Sequence, residues 1–235
     1  MRYHKLIIGT IALCSTVAIK PIDAQPTFRF VPPIPPRAGL PAGRARGGAS
    51  RGCLDGLTAI VPTVQTKTQT SVWGLTTAER PTIWVYMPYT RAEAVPIQFV
   101  LQTASGKTLY QSAIAPPEAE GMIGVQLPPK AGLAVNQRYR WFVKVYCGAE
   151  KQLPPIVVNG SIERIALSKT LATQIRQATP QQQAQLYAAN GIWYDALTTL
   201  AYLRRSRLQD VQIDRDWKTL LESVGYKDLA NAPVR

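Results

Sequence analysis

Histidine is almost missing from this chain: among 235 residues there is one, His4. It lies in the first residues, ahead of an apolar run that reads as a removable leader, so the processed protein is expected to contain none. That excludes Ser-His and Cys-His nucleophile systems, HExxH metalloproteases and most zinc sites. Cysteine is also scarce, with only Cys14, Cys53 and Cys147, too few for a closed thiolate metal site. Beyond the N-terminus no apolar stretch approaches the roughly 20 residues that a bilayer span requires. Acidic residues are few: 14 Asp and Glu stand against 27 Lys and Arg, for a formal net charge of +13.

The apolar run that does exist is N-terminal. Arg2 and Lys5 precede an uncharged segment over residues 6–19, the basic n-region and apolar h-region of a secretory signal peptide. Residues 1–24 are therefore read as a signal peptide, with cleavage after Ala18 or Ala24, both small. The expected destination is periplasmic or extracellular, with no transmembrane segment left after processing. Cys14 is preceded by Leu13, where a lipoprotein signal wants a small residue. Loss of Cys14 leaves Cys53 and Cys147, an even pair in an oxidising setting, and one disulfide between them is expected. Removing Arg2, Lys5, Lys20 and Asp23 with the leader takes the charge from +13 to +11. Such a balance draws polyanionic neighbours by long-range attraction.

Residues 25–52 read as a linker rich in Pro, Gly and Arg. Pro26, Pro32, Pro33, Pro35, Pro36 and Pro41 oppose regular structure. Arg29, Arg37, Arg44, Arg46 and Arg51 form a basic arm without an acidic residue among them, expected to contact an anionic partner.

Residues 53–167 carry short apolar runs rich in β-branched and aromatic residues, with strands expected near 56–61, 82–87, 97–103, 108–114, 121–127, 138–147 and 156–165. Tyr139, Trp141, Val143 and Val145 alternate with Arg138, Arg140, Phe142 and Lys144, the pattern of a strand with one buried face. Asn159-Gly160 signals either a type I′ turn or a bulge in the last strand, here read as a bulge. Seven short strands without an intervening helix predict an antiparallel immunoglobulin-like β-sandwich. Helices are expected over 168–178, 180–190, 192–206 and 211–224, with Ser168 and Thr179 at caps and Pro180 in a first turn. The fold class is thus mainly β with a helical C-terminal part (α+β): a sandwich over 53–167, a small bundle of about four helices over 168–226, and a tail over 227–235.

Two resemblances bear on this plan. Tyr187, Gly191, Trp193, Ala196 and Leu200 are spaced as in the middle of a tetratricopeptide repeat, where glycine allows the turn and alanine lets two helices approach. The earlier Trp and Leu-Gly positions of that repeat are missing, which implies a lone hairpin docked on the sandwich. Arg51-Gly52-Cys53, Trp73-Gly74-Leu75-Thr76-Thr77-Ala78-Glu79-Arg80-Pro81-Thr82, Arg138-Tyr139-Arg140-Trp141 and Tyr187 through Leu203 together resemble an exported cyanobacterial family catalogued as domain of unknown function 928. That resemblance implies an envelope or periplasmic setting and carries no catalytic residues with it.

Chemistry is sparse. Gly106-Lys107-Thr108 ends like a phosphate-binding loop, but Leu101 holds the position where that loop needs glycine. Paired carboxylates are the remaining catalytic device, with Asp55, Glu79 and Glu163 as candidates for a polysaccharide hydrolase. Asp210, Asp214 and Asp216 lack the glycine of a calcium loop and are expected around the start of the last helix. Trp84 and Trp141 are expected in the core, Trp193 between helices, and Trp73 and Tyr89 as exposed aromatic contacts for a partner. The reading is a non-enzymatic envelope protein, without cofactor or metal, that binds another envelope protein or an anionic polysaccharide. No nucleic-acid partner is expected.

Overall fold

A computed structural model describes residues 28–35, 40–48, 55–147 and 154–235. Residues 1–24, expected to form a signal peptide, and Arg37, Arg51 and Cys53 lie outside the described residues.

Among the described residues, nine strands form two sheets. In the smaller, β1 (Thr58–Ala59), β4 (Thr82–Met87) and β7 (Gly121–Gln126) pair antiparallel in the order β1-β4-β7. The larger has the order β2-β3-β9-β8-β5-β6, built from β2 (Thr63–Gln65), β3 (Thr70–Thr76), β5 (Ile97–Thr103), β6 (Thr108–Ile114), β8 (Gln137–Val145) and β9 (Ile156–Arg164). One pair, β3 with β9, is parallel. Neither β2 nor β3 is anticipated from the sequence. The reason is that β3, TSVWGLT, is covered on both faces for most of its length and shows no alternation.

Strand β8 obeys its pattern. Tyr139, Trp141, Val143 and Val145 are buried, while Arg140 and Lys144 flank the Phe142 ring outside, 5.3 and 6.0 Å from its centroid. The Asn159-Gly160 signal resolves differently from expectation. Strand β9 pairs with β8 residue by residue from Gln137↔Arg164 to Val145↔Ile156 with neither turn nor bulge. Gly160 is needed for space: a Cβ there would lie 2.7 Å from the Trp141 ring and 2.9 Å from Val72 Cγ1.

The C-terminal part contains four helices. They are α1 (Lys169–Gln177), α2 (Pro180–Ala189), α3 (Trp193–Ser206) and α4 (Val211–Glu222). Ser168 and Thr179 accept the first free backbone N–H groups of α1 and α2, and Gln182 reaches back to Thr179 to complete a capping box. Asp210 caps α4 by accepting from Gln212 N and Ile213 N. The chain is therefore a mixed α+β protein whose strands and helices share one apolar core.

Both flanks differ from the expected linker and tail. Phe28, Phe30, Leu40 and Ala45 are buried, and Phe30 meets the Trp193 ring edge-on at 5.0 Å. Val31 N donates to Ala188 O, and Arg44 and Arg46 form backbone bridges to Asn159 and Thr58. Prolines block helix here, but the stretch is stitched to helix and sheet by the donors it retains. At the other end, Met122 N donates to Pro233 O and Arg235 N to Met122 O, so Val234 runs parallel to the edge of β7.

Replacing Gly160 with valine should overpack the contact between Trp141 and Val72 and destabilise the fold by about 1–3 kcal/mol. The check is the denaturant midpoint of Gly160→Val against the unaltered protein.

Candidate functional site

Three of the segments that carry the family resemblance, those over residues 73–82, 138–141 and 187–203, meet in space at the N-terminus of α3. Gly74 of β3 is the contact point: a Cβ there would approach Tyr194 at 3.0 Å and Trp193 Cβ at 3.2 Å. Without a side chain on Gly74, the first turn of the helix lies against the strand. Trp141 Nε1 then donates to the Tyr194 hydroxyl at 2.9 Å, and that hydroxyl donates to Ser161 O at 3.3 Å. Trp193 Nε1 donates to Ile60 O at 2.8 Å, and Trp84 Nε1 to Thr198 Oγ1 at 3.0 Å. Helix α3 thereby touches both sheets, through β3 and β4.

Asp195 is the charged centre of this junction. Its carboxylate accepts from Thr76 Oγ1 at 2.7 Å, from Thr77 Oγ1 at 2.5 Å and from Thr77 N at 3.1 Å. It also sits in the first turn of α3, where negative charge is favoured. Burial raises its pKa above the ordinary 3.8, opposed by the hydrogen bonds from Thr77 and Thr76. Burial likewise raises the Tyr194 hydroxyl far out of the physiological range. A cavity of about 170 Å³ lies beside Asp195, walled by Arg80, Tyr187 and Tyr202 among others. With both carboxylate oxygens accepting hydrogen bonds from β3 and the residue after it, the cluster holds helix to sheet.

Trp73 and Tyr89, expected as exposed contacts, are buried at 4% and 1% exposure. Trp73 sits within β3, and its indole N–H has no hydrogen-bond partner among the described residues. Tyr89 follows β4 and places its hydroxyl 3.9 Å from Cys147 Sγ. Short-range sequence reading put both at strand margins; the surrounding segments cover them.

The arginines are dispersed. Arg29 is exposed between buried Phe28 and Phe30, an alternation that points it outward. It lines a groove of about 500 Å³ against α1 and α2, whose floor is Ala178, Leu186 and Ala189 and whose sides carry Gln174, Gln177, Gln182 and Gln185. Arg44 and Arg46 line a different groove of about 470 Å³ with Thr63, Gln65, Thr70 and Tyr226. There the Arg46 guanidinium is committed to both Asp228 oxygens, at 2.9 and 3.0 Å, and lies 5.6 Å from the Tyr226 ring centroid. The hydrogen bond with Arg46 lowers the Asp228 pKa, and burial pushes the Tyr226 hydroxyl up to about 12. No single basic arm exists among the described residues. The glutamine rim of the Arg29 groove escaped the sequence reading, because four amides on two helices form no motif until the helices pack.

The carboxylates separate too. Glu163 is paired with Arg138 at 3.0 Å, Glu79 abuts Gly132, and Asp55 is exposed. None of the three lines the grooves above or the cavity beside Asp195. Asp214 is held by Lys218 at 2.7 Å and Arg204 at 3.4 Å, and Asp216 is buried, accepting from Gln181 and Gln212. Among the described residues no three His, Cys, Asp or Glu side chains cluster as metal ligands, and no helix is long and apolar enough to cross a membrane.

These features define a class: a two-sheet domain locked to a helical unit through buried aromatic and threonine contacts. The chain belongs to the family described as Domain of Unknown Function (DUF928), whose model matches residues 42–234. No curated protein matches it.

The Asp195 pKa gives a pH dependence of defined sign. The unfolded carboxyl ionises at its ordinary value and the folded one higher, so this contribution is fully present below the unfolded pKa and is lost as pH rises through the folded one. Unfolding free energy measured from acid to neutral pH should fall across that window in the unaltered protein relative to Asp195→Asn, in which this component is absent.

Proposed function

We propose that this protein is a non-enzymatic, exported envelope protein that binds an anionic polysaccharide or a polar segment of another envelope protein in the groove between α1, α2 and Arg29. The observation that carries this reading is the groove's chemistry. An apolar floor with a few convergent polar groups is the usual make-up of a binding site. Here those groups are one outward-held guanidinium and four neutral amides. Amides donate to and accept from hydroxyl-rich chains, and a single cation suits a ligand with sparse negative charge.

Several features support the finer assignments. An immunoglobulin-like arrangement is favoured by the order β3-β9-β8-β5-β6 facing β1-β4-β7. It is favoured also by the Tyr139 hydroxyl near the start of β8, which accepts from Ala134 N at 2.9 Å, as a tyrosine corner would. A tetratricopeptide-like hairpin is favoured by Gly191, whose φ of +72° turns α2 into α3, and by fully buried Ala196. Export is favoured by the basic and apolar leader. An oxidising destination would let Cys53 and Cys147, the two cysteines left after processing, form one bridge; Cys147 is buried beside Tyr89. Cyanobacterial origin enters only through the family resemblance.

Two measurements test this. Retention on immobilised polygalacturonate and recovery of partners from envelope extracts should both fall about tenfold in Arg29→Glu, a change of about 1.4 kcal/mol. Equal behaviour of both proteins would dismiss the groove. Intact mass of natively purified protein should show a chain starting after Ala18 or Ala24, with Cys53 and Cys147 unreactive to maleimide until reduced. A full-length, thiol-reactive product would dismiss export.

A further inference from the structure

The turn between α3 and α4 presents an unusual surface. Arg205, Ser206, Arg207, Leu208 and Gln209 are all exposed, and two aliphatic side chains stand in solvent there: Leu208 at 84% exposure and Val211 at 72%. Arg215 lies one turn beyond Val211 on α4 and is also exposed. The neighbouring acids do not neutralise these cations. Asp210 is occupied in capping α4, and Asp214 is taken by Arg204 and Lys218. Arg204 is itself turned inward, donating to Ala232 O and lying 5.3 Å from the Trp217 ring centroid. Arg205, Arg207 and Arg215 are therefore left without an ion pair among the described residues.

We propose that this turn is a membrane-docking tip, with Leu208 and Val211 inserting among the acyl chains of an anionic phospholipid surface while Arg205, Arg207 and Arg215 meet the phosphates. Cations alone would suit any polyanion. Protruding aliphatic side chains between them gain nothing from a soluble polymer, whereas at a lipid interface they leave water. Anionic headgroups add attraction for each nearby arginine, within a Debye length of the surface. The turn is rigidly based, since Leu203, Ile213 and Trp217 just behind it are buried, and on one side Arg205, Arg207 and Leu208 border a cavity of about 360 Å³ shared with the C-terminal residues. It involves none of the residues of the Arg29 groove, so the two surfaces stand or fall separately.

The test is co-sedimentation of the full chain with vesicles of equimolar phosphatidylglycerol and phosphatidylcholine, beside vesicles of phosphatidylcholine alone and soluble dextran sulfate. The unaltered protein should bind the anionic vesicles and not the neutral ones. Leu208→Ser with Val211→Ser should weaken vesicle binding about tenfold and leave dextran sulfate binding unchanged. Arg205→Gln with Arg207→Gln should weaken both by about tenfold or more. All four positions are exposed, and an unchanged thermal midpoint verifies folding. Failure of the unaltered protein to bind anionic vesicles would overturn the proposal. So would a serine double variant that binds them as well as the parent, which would reduce the tip to a general polyanion contact. Vesicle binding that survives both tip variants but disappears in Arg29→Glu would move the lipid contact to the groove and overturn it equally.

Discussion

The seating of α3 on β3 is the contact on which the remaining architecture depends. Removing the side chain at Gly74 brings backbone and helix close enough for Tyr194 to reach Trp141 and for Asp195 to reach Thr76 and Thr77. Each neutral hydrogen bond contributes only about 1 kcal/mol net, but a buried donor left without its acceptor costs about 1–3 kcal/mol. The junction is consequently an all-or-none arrangement. A shift of the helix would strand three indole N–H groups, two threonine hydroxyls and a carboxylate at once. This cooperativity explains how a helical unit of modest size is held at one angle to a pair of sheets.

Positive charge is divided into two populations with different roles. Arg46, Arg138 and Arg204 are spent internally, on Asp228, Glu163 and Asp214, and tie distant parts of the chain together. Arg29, Arg205 and Arg207 carry no such partner among the described residues and face water. Net charge alone cannot separate these groups. Their division turns a diffuse basic character into discrete surfaces, one a groove lined with amides, the other a turn bearing exposed aliphatic side chains.

Much of the plan is legible in the sequence where local chemistry is decisive. Alternation marks β8, and Ser168, Thr179 and Asp210 mark helix starts because their side chains satisfy the first free N–H groups. The same local reading fails where tertiary covering decides. Strand β3 has no period because both its faces are enclosed, and its enclosure hides Trp73. Asn159-Gly160 has the composition of a turn, yet its glycine answers to the bulk of Trp141 across the sheet. The proline-rich stretch looks like a spacer because prolines forbid ladders, but Phe28 and Phe30 supply enough apolar surface to hold it down. The groove beside Arg29 is invisible before folding, since its walls come from segments separated by about 150 positions of chain and share no motif.

The pairing of the final residues with β7 bears on how molecules of this protein coexist at high concentration. An uncovered strand border displays amide and carbonyl groups ready to recruit a second copy. Here Pro233 and Arg235 occupy those groups on Met122, and Gly121 leaves room for them by lacking a side chain that would strike Pro233 O. Proteolytic trimming of a few C-terminal residues would thus do more than shorten the polypeptide. It would free the amide and carbonyl of Met122 at the border of the smaller sheet and so lengthen the stretch of β7 open to pairing with a second copy.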